Sequence, residues 1–236
     1  MHLAESTWTD ADAADAAVAV LPVGSTEQHG PHAPLGTDTL TAETVAREGA
    51  TRADEEVVVA PAIPVGVAAE HRQFAGTLWV SEDSFRAYVG DTIESLAHHG
   101  WERVVVVNGH GGNVAPLREV CGRLTRETET YAVPFTWFDA IDADQMGHGG
   151  PVETSLLLHE RPDLVHEDRL ADAAANAAEG WGEWTAGVNL AYDTAEFAQN
   201  GVVGDPSEAT AETGERLLDA ASERLAELLG VVAERA

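Results

Sequence analysis

Between Leu21 and Thr39 the chain reads LPVGSTEQHGPHAPLGTDT. Glu27 and His29 stand two residues apart, so in extended backbone they face the same side. Asp38 follows after a loop rich in proline and glycine that can fold back toward them. A carboxylate, an imidazole and a second carboxylate make a mixed oxygen and nitrogen donor set. Such a set suits zinc, manganese or iron better than calcium or magnesium. Three further stretches carry related chemistry. Asn108-Gly109-His110-Gly111-Gly112-Asn113 sets a histidine among glycines, which permit tight turns and bring backbone N–H groups close to a ligand. Glu70-His71-Arg72-Gln73-Phe74-Ala75-Gly76-Thr77 joins an acid to a histidine, and Gly147-His148-Gly149-Gly150-Pro151-Val152-Glu153 does the same at the start of a helical pattern.

Simpler readings compete with a metal site. The NGHGGN run resembles a phosphate-binding turn, but it lacks the dinucleotide glycine spacing and the P-loop lysine. Gly24-Ser25 is not a nucleophile elbow, because the Gly-x-Ser-x-Gly pattern is absent. Isolated histidines are usually satisfied polar residues, and His2, His32, His98, His99, His159 and His166 are read that way. What favours the metal is position: several loops, each leaving a strand, carry histidine or acid among glycines.

The elements that must position these loops are short apolar runs alternating with amphipathic stretches, the pattern of β/α units around a parallel sheet. Strands are expected at 17–23, 57–62, 103–107 and 131–135. Their continuous valine and alanine runs fit strands covered on both faces. Helices are expected at 38–52 with Thr37 as N-cap, at 83–98 after Ser81, and at 113–126, 153–160 and 207–235. The glycine- and tryptophan-rich stretch 171–200 has weak periodicity and is left unplaced, as a lid or an interface segment. No internal repeat and no long linker divides residues 1–236, so one domain is expected.

Composition narrows the function. There are 41 acidic residues against 13 basic ones, giving a net charge of −28, and every basic residue is arginine. Such a charge repels nucleic acid and anionic membranes. The acids are dispersed, which suits a high-salt cytoplasm where screening weakens their repulsion. No run approaches the ~20 apolar residues of a membrane span. The opening MHLAESTWTD has no basic stretch before an apolar one, which argues against a secretory signal. The lone Cys121 excludes an internal disulfide and a cysteine-rich zinc site.

Together GSTEQHGPHAPLGTD, EHRQFAGT, NGHGGN, HGGPVETS and GVVGDPSEAT resemble, in order from Leu21 to about Thr210, the creatininase family of amidohydrolases. The resemblance implies a single three-layer α/β domain with a central, mainly parallel sheet, assembled as a homo-oligomer, commonly a hexamer. It implies two divalent metal ions, with Asp38 bridging, Glu27 and His110 on one, and His29 on the other. It makes His148 the catalytic histidine and Glu153 its neighbouring acid, acting on a small-molecule amide. Departures are informative. Creatininase itself has a ligand glutamate where this chain has Gly112, a tyrosine at Gly111 and a tryptophan at Asp144, and many members carry serine at Ala68. The lining therefore argues against creatinine. A formylamino-pyrimidine ribotide deformylase is the first expectation, with His71, Arg72, Gly111 and Gly112 binding substrate and Arg72 meeting the phosphate. A mycofactocin precursor peptidase and a creatinine amidohydrolase come next, and then a metal-binding, ring-forming protein without catalysis.

Overall fold

Four valine-rich runs form one parallel sheet in the computed structural model, which describes residues 1–141 and 146–235. The strands are β1 (Val18–Val23), β2 (Val57–Val59), β3 (Arg103–Asn108) and β4 (Tyr131–Thr136). They lie side by side in the order β2-β1-β3-β4, with Val20 opposite Val59 on one side and Val105 on the other. The helices are α1 (Trp8–Asp12), α2 (Thr37–Arg52), α3 (Glu82–His98), α4 (Val114–Glu127), α5 (Pro151–Glu160), α6 (Leu170–Ala175) and α7 (Ala211–Ala233).

Side chains alternate across a strand, so each strand feeds two cores. Val18, Val20, Val105 and Val107 meet Val45 of α2, Leu156 of α5, and Leu225 and Leu229 of α7. Ala19, Leu21, Val104 and Val106 meet Phe85, Val89 and Ile93 of α3 and Leu117 and Val120 of α4. Burying a leucine or phenylalanine of this kind contributes about 2 kcal/mol. The result is a sheet between two helical layers. Both faces are covered, which is why the strands read as continuous valine and alanine.

Chain order fixes where a ligand can sit. From β1 the chain passes through α2 to β2 on one side, then through α3 across β1 to β3 on the other. The carboxyl ends of β1 and β3 thus flank a topological switch point, the crevice where open α/β sheets take ligands.

Several boundaries differ from expectation for local reasons. β2 stops at Val59, two residues before Pro61, which has no N–H to continue a ladder. Thr37 is not the cap of α2; Gly36 is, and the Thr37 hydroxyl instead donates to the Pro34 carbonyl at 2.7 Å. Ser81 does cap α3, accepting the Ser84 N–H at 3.2 Å. Ser207 sits in a short 3-10 turn, Pro206–Glu208, and α7 begins only at Ala211, with the Thr210 hydroxyl accepting the Thr213 N–H at 3.1 Å. The unplaced stretch holds α6, a two-residue hairpin pairing Trp184 with Asn189, and a 3-10 turn at Thr194–Glu196. Asp144, one of the departures noted above, lies outside the described residues. Among those described, no helix is long and apolar enough to cross a membrane.

Candidate metal centre

Three loops leave the carboxyl edge of the sheet and are tied to one another by backbone and asparagine contacts. Gly109 N–H donates to the Val23 carbonyl at 2.9 Å, holding the β3 loop against the end of β1. The Asn113 side chain donates to the Gly24 carbonyl at 3.0 Å and accepts the Val67 N–H at 3.0 Å. Glu27 and His29 hang from the β1 loop, Asp38 from the first turn of α2, and His110 from the β3 loop. A fourth loop brings His148, and Glu153 follows in the first turn of α5. Gly149 makes this possible: its φ is +57°, and a Cβ there would lie 3.0 Å from the His29 carbonyl carbon.

These side chains converge. His29 Nε2 is 3.0 Å from Asp38 Oδ1 and 3.6 Å from Glu153 Oε1. His110 Nδ1 is 3.2 Å from Glu27 Oε1 and 3.3 Å from Asp38 Oδ2. Asp38 therefore turns one oxygen to each of two nitrogens. Glu27, Asp38 and His110 form one trio with metal-ligand spacing, and His29, His148 and Glu153 form another. Both oxygens of Glu27, Asp38 Oδ2 and His29 Nε2 are buried without a hydrogen-bond partner. Buried polar groups are normally satisfied, so four orphaned acceptors within one cluster are the signature of a cation-binding centre.

The imidazoles are oriented for ligation. His29 Nδ1–H donates to the Glu27 carbonyl at 3.2 Å, His110 Nε2–H to the Val67 carbonyl at 2.7 Å, and His148 Nε2–H to the Gln28 carbonyl at 2.6 Å. A carbonyl can only accept, so in each neutral ring the inward nitrogen keeps its lone pair. Electrostatics agree. Burial opposes charge on His29 and His110, yet the surrounding carboxylates hold both well above the usual histidine range. Burial would raise the Asp38 carboxyl, but His29 and His110 hold it well below the carboxylate range. The carboxylates demand positive charge at this point, and a divalent cation bound there would supply it in place of those protons.

The centre opens into a cavity of about 920 Å³. Asp38, Glu70, Glu153, Glu179, Asp205 and Glu208 line it, with Phe138, Met146 and Trp181 as the largest apolar side chains. Among the described residues, no arginine lines it. Trp181 meets His71 and His148 edge-on, with centroids 5.9 and 6.0 Å away.

The residues singled out in the sequence fall into two groups. Glu27, His29, Asp38, His110, His148 and Glu153 come together, as does His71, and Gly111 and Gly112 line the cavity. Arg72 does not join them; its side chain is 55% exposed and bound to Asp193 at 2.7 Å. Gly112 cannot take a side chain unless its surroundings shift. A Cβ there would run into the Val67 carbonyl and lie 2.6 Å from His110 Nε2 and 3.1 Å from Glu70 Oε1. Sequence reasoning missed Gln28 and Trp181, although Gln28 stands between two ligand candidates. His32, read as a satisfied polar histidine, joins neither metal-ligand trio. That ring is fully buried, bonds Thr154 at 3.0 Å beside Glu153, and has its pKa pushed down to about 4 by burial and by nearby His29.

Comparison with known proteins places the arrangement in a class. The sequence profile of the family described as creatininase, creatinine amidohydrolase, matches residues 4–229. The mycofactocin precursor peptide peptidase of Mycobacterium ulcerans is 39% identical over 206 residues, covering 84% of this chain and 78% of that protein. The creatinine amidohydrolase of Pseudomonas putida is 31% identical over 201 residues, covering 73% of this chain and 76% of that protein. A zinc–zinc form of a mutant creatininase superposes with a TM-score of 0.85 at 26% identity, covering 99% of this chain and 98% of that one. The fold and the loop-borne carboxylate–imidazole site define a metal-dependent amidohydrolase. The chain belongs to the creatininase family.

Proposed function

We propose that this amidohydrolase cuts a peptide-type amide bond in a substrate without phosphate, using two divalent cations. The observation that carries the choice is the cavity wall: acids line it, and no described arginine does. A ribotide phosphate would meet Glu70, Glu179, Asp205 and Glu208, and Arg72 is turned away to Asp193. Creatinine would leave most of about 920 Å³ unfilled. A peptide fills such a space and needs no cationic clamp, and relatives named as precursor-peptide peptidases align over most of the chain. The deformylase reading, the first expectation from the sequence, therefore ranks below the peptidase.

Glu27, Asp38 and His110 would hold one ion, and His29, Asp38 and Glu153 the other, with Asp38 common to both. Glu153 then supplies the carboxylate that position 112 lacks. Zinc, manganese and iron all suit these donors. The ions would supply Lewis acidity toward the amide carbonyl and lower the pKa of the attacking water.

The remaining work falls to side chains. His148 directs Nδ1 into the site because Nε2–H is held by the Gln28 carbonyl, so it can take a proton there and hand it to the leaving nitrogen. Burial, the largest influence, lowers its pKa and favours the neutral ring. Glu153 is fixed by the Gly149 N–H at 2.6 Å. Trp181 covers His71 and His148 and limits bulk water around the reacting bond.

The test pairs metal analysis with two substrates, in high-salt buffer. Two metals per chain, with short peptides cleaved and the formylamino-pyrimidine ribotide left intact, is the expected result. Formate release from the ribotide with peptides untouched would reverse the choice of substrate. Failure to retain zinc, manganese or iron would end the metal reading.

A further inference from the structure

Three imidazoles, His71, His110 and His148, lie within 4 Å of the Glu27 carboxylate, His29 stands beside them, and one of the four is built the opposite way round. His29, His110 and His148 each give their outer N–H to a backbone carbonyl and keep a lone pair facing inward. His71 lies among them, 1% exposed, stacked on His148 with centroids 4.3 Å apart, and its Nε2 is 3.4 Å from Glu27 Oε1. By spacing alone, Glu27, His71 and His148 would make a third metal trio.

The Gln28 amide argues otherwise. Its Oε1 accepts the Gly30 N–H at 2.9 Å, and its Nε2 donates to the Gly201 carbonyl at 2.9 Å. A backbone N–H only donates and a carbonyl only accepts, so the amide cannot be flipped. The second hydrogen on Gln28 Nε2 then points to His71 Nδ1, 2.9 Å away. His71 Nδ1 must accept, and the ring proton must sit on Nε2. That nitrogen makes no hydrogen bond in the structure, and the one described carboxylate oxygen within 4 Å of it is Glu27 Oε1, itself unpartnered and 3.4 Å away.

We infer that His71 is a fixed hydrogen-bond donor that orients Glu27, locked in this tautomer by Gln28, and is not a metal ligand. It is a positioning residue; a protonated nitrogen has no lone pair to give a cation. A ligand carboxylate that is itself hydrogen-bonded holds its metal better. The inference rests on the metal reading only in taking Glu27 as a ligand, since the proton position follows from Gln28 alone.

The experiment is long-range nitrogen–proton NMR on protein labelled with 15N-histidine, recorded metal-free and zinc-loaded, with metal content measured on the same samples. The His71 signals are assigned by their loss in His71→Gln. The expected spectrum shows Nε2 protonated and Nδ1 bare in both states. A bare Nε2, or one that loses its proton when zinc enters, overturns the inference. Zinc affinity gives the second readout. His71→Ala is expected to bind both zinc ions at saturation but about 10- to 100-fold more weakly. His71→Gln keeps an N–H at similar reach and should recover most of that loss. Loss of one zinc ion from His71→Ala even at saturation would make His71 a ligand and overturn the assignment. If the wild type binds no zinc, the metal reading fails while the His71 proton is still read from the metal-free spectrum.

Discussion

His148 and Gly149 show how far single residues decide this site. The His148 ring reaches the cluster with one nitrogen held by the Gln28 carbonyl and the other free toward Glu27, 3.8 Å away. It is proposed to move a proton and not to hold an ion, so His148→Ala should retain its metals while turnover falls by about 10²- to 10⁴-fold. Metal analysis beside kcat checks this; loss of an ion together with activity would make His148 a ligand. Gly149→Ala should be more damaging to the fold, since the position combines a positive φ with contact against the His29 backbone. A destabilisation of about 1–3 kcal/mol in urea titration is expected. The ligand candidates were legible because acids and histidines set among glycines after apolar runs have few other uses. Arg72 was misleading for a physical reason: neighbourhood in sequence to His71 says nothing of which way a side chain turns out of a 3-10 turn, and Asp193, 121 residues later, claims it. Gln28 was invisible because its importance lies in two backbone partners, Gly30 and Gly201, that no local pattern reveals.

At the scale of elements, the strands were the clearest feature. Val104–Val107 is buried on both faces, and no amphipathic helix tolerates four consecutive buried valines of that kind. Helix ends were read less well wherever a turn imitated a start. Asp205-Pro206 has the form of a helix opening, yet Ala209 and Thr210 are extended and the helix waits for the Thr210 cap. The hairpin at Trp184–Thr185 and Val188–Asn189 could not be seen at all, because strands of two residues carry no periodicity. Capping at Ser81 was both expected and found, and it offers a clean separation of stability from chemistry. Ser81→Ala removes the acceptor for the Ser84 N–H and should cost about 1 kcal/mol. Thermal denaturation measures that loss, and kcat/KM should stay unchanged because α3 supplies no side chain to the centre. A parallel fall in activity would mean that α3 transmits to the site.

For the whole molecule, two different electrostatic problems are superposed, and they respond to different ions. The net charge of −28 is a diffuse repulsion among carboxylates that are mostly exposed. Screening acts on it generally: the Debye length falls from about 10 Å at 0.1 M salt to about 3 Å at 1 M. Compact folding crowds these charges, so salt relieves the folded state more than the unfolded one, and Tm should rise with sodium chloride. The buried cluster around Glu27 and Asp38 is a local problem, with orphaned oxygens that monovalent salt does not reach. A divalent ion that binds only the folded chain adds about 2.7 kcal/mol when its free concentration is 100 times Kd. Zinc or manganese at micromolar levels should therefore raise Tm further, and a chelator should reverse that part alone. The decisive comparison is the alanine variant of the shared carboxylate. Asp38→Ala should keep the sodium chloride response and lose the divalent one, with neither metal retained. A variant that still gained stability from micromolar zinc would show that the ions are not shared through Asp38, and the two-ion arrangement would have to be rebuilt around other donors.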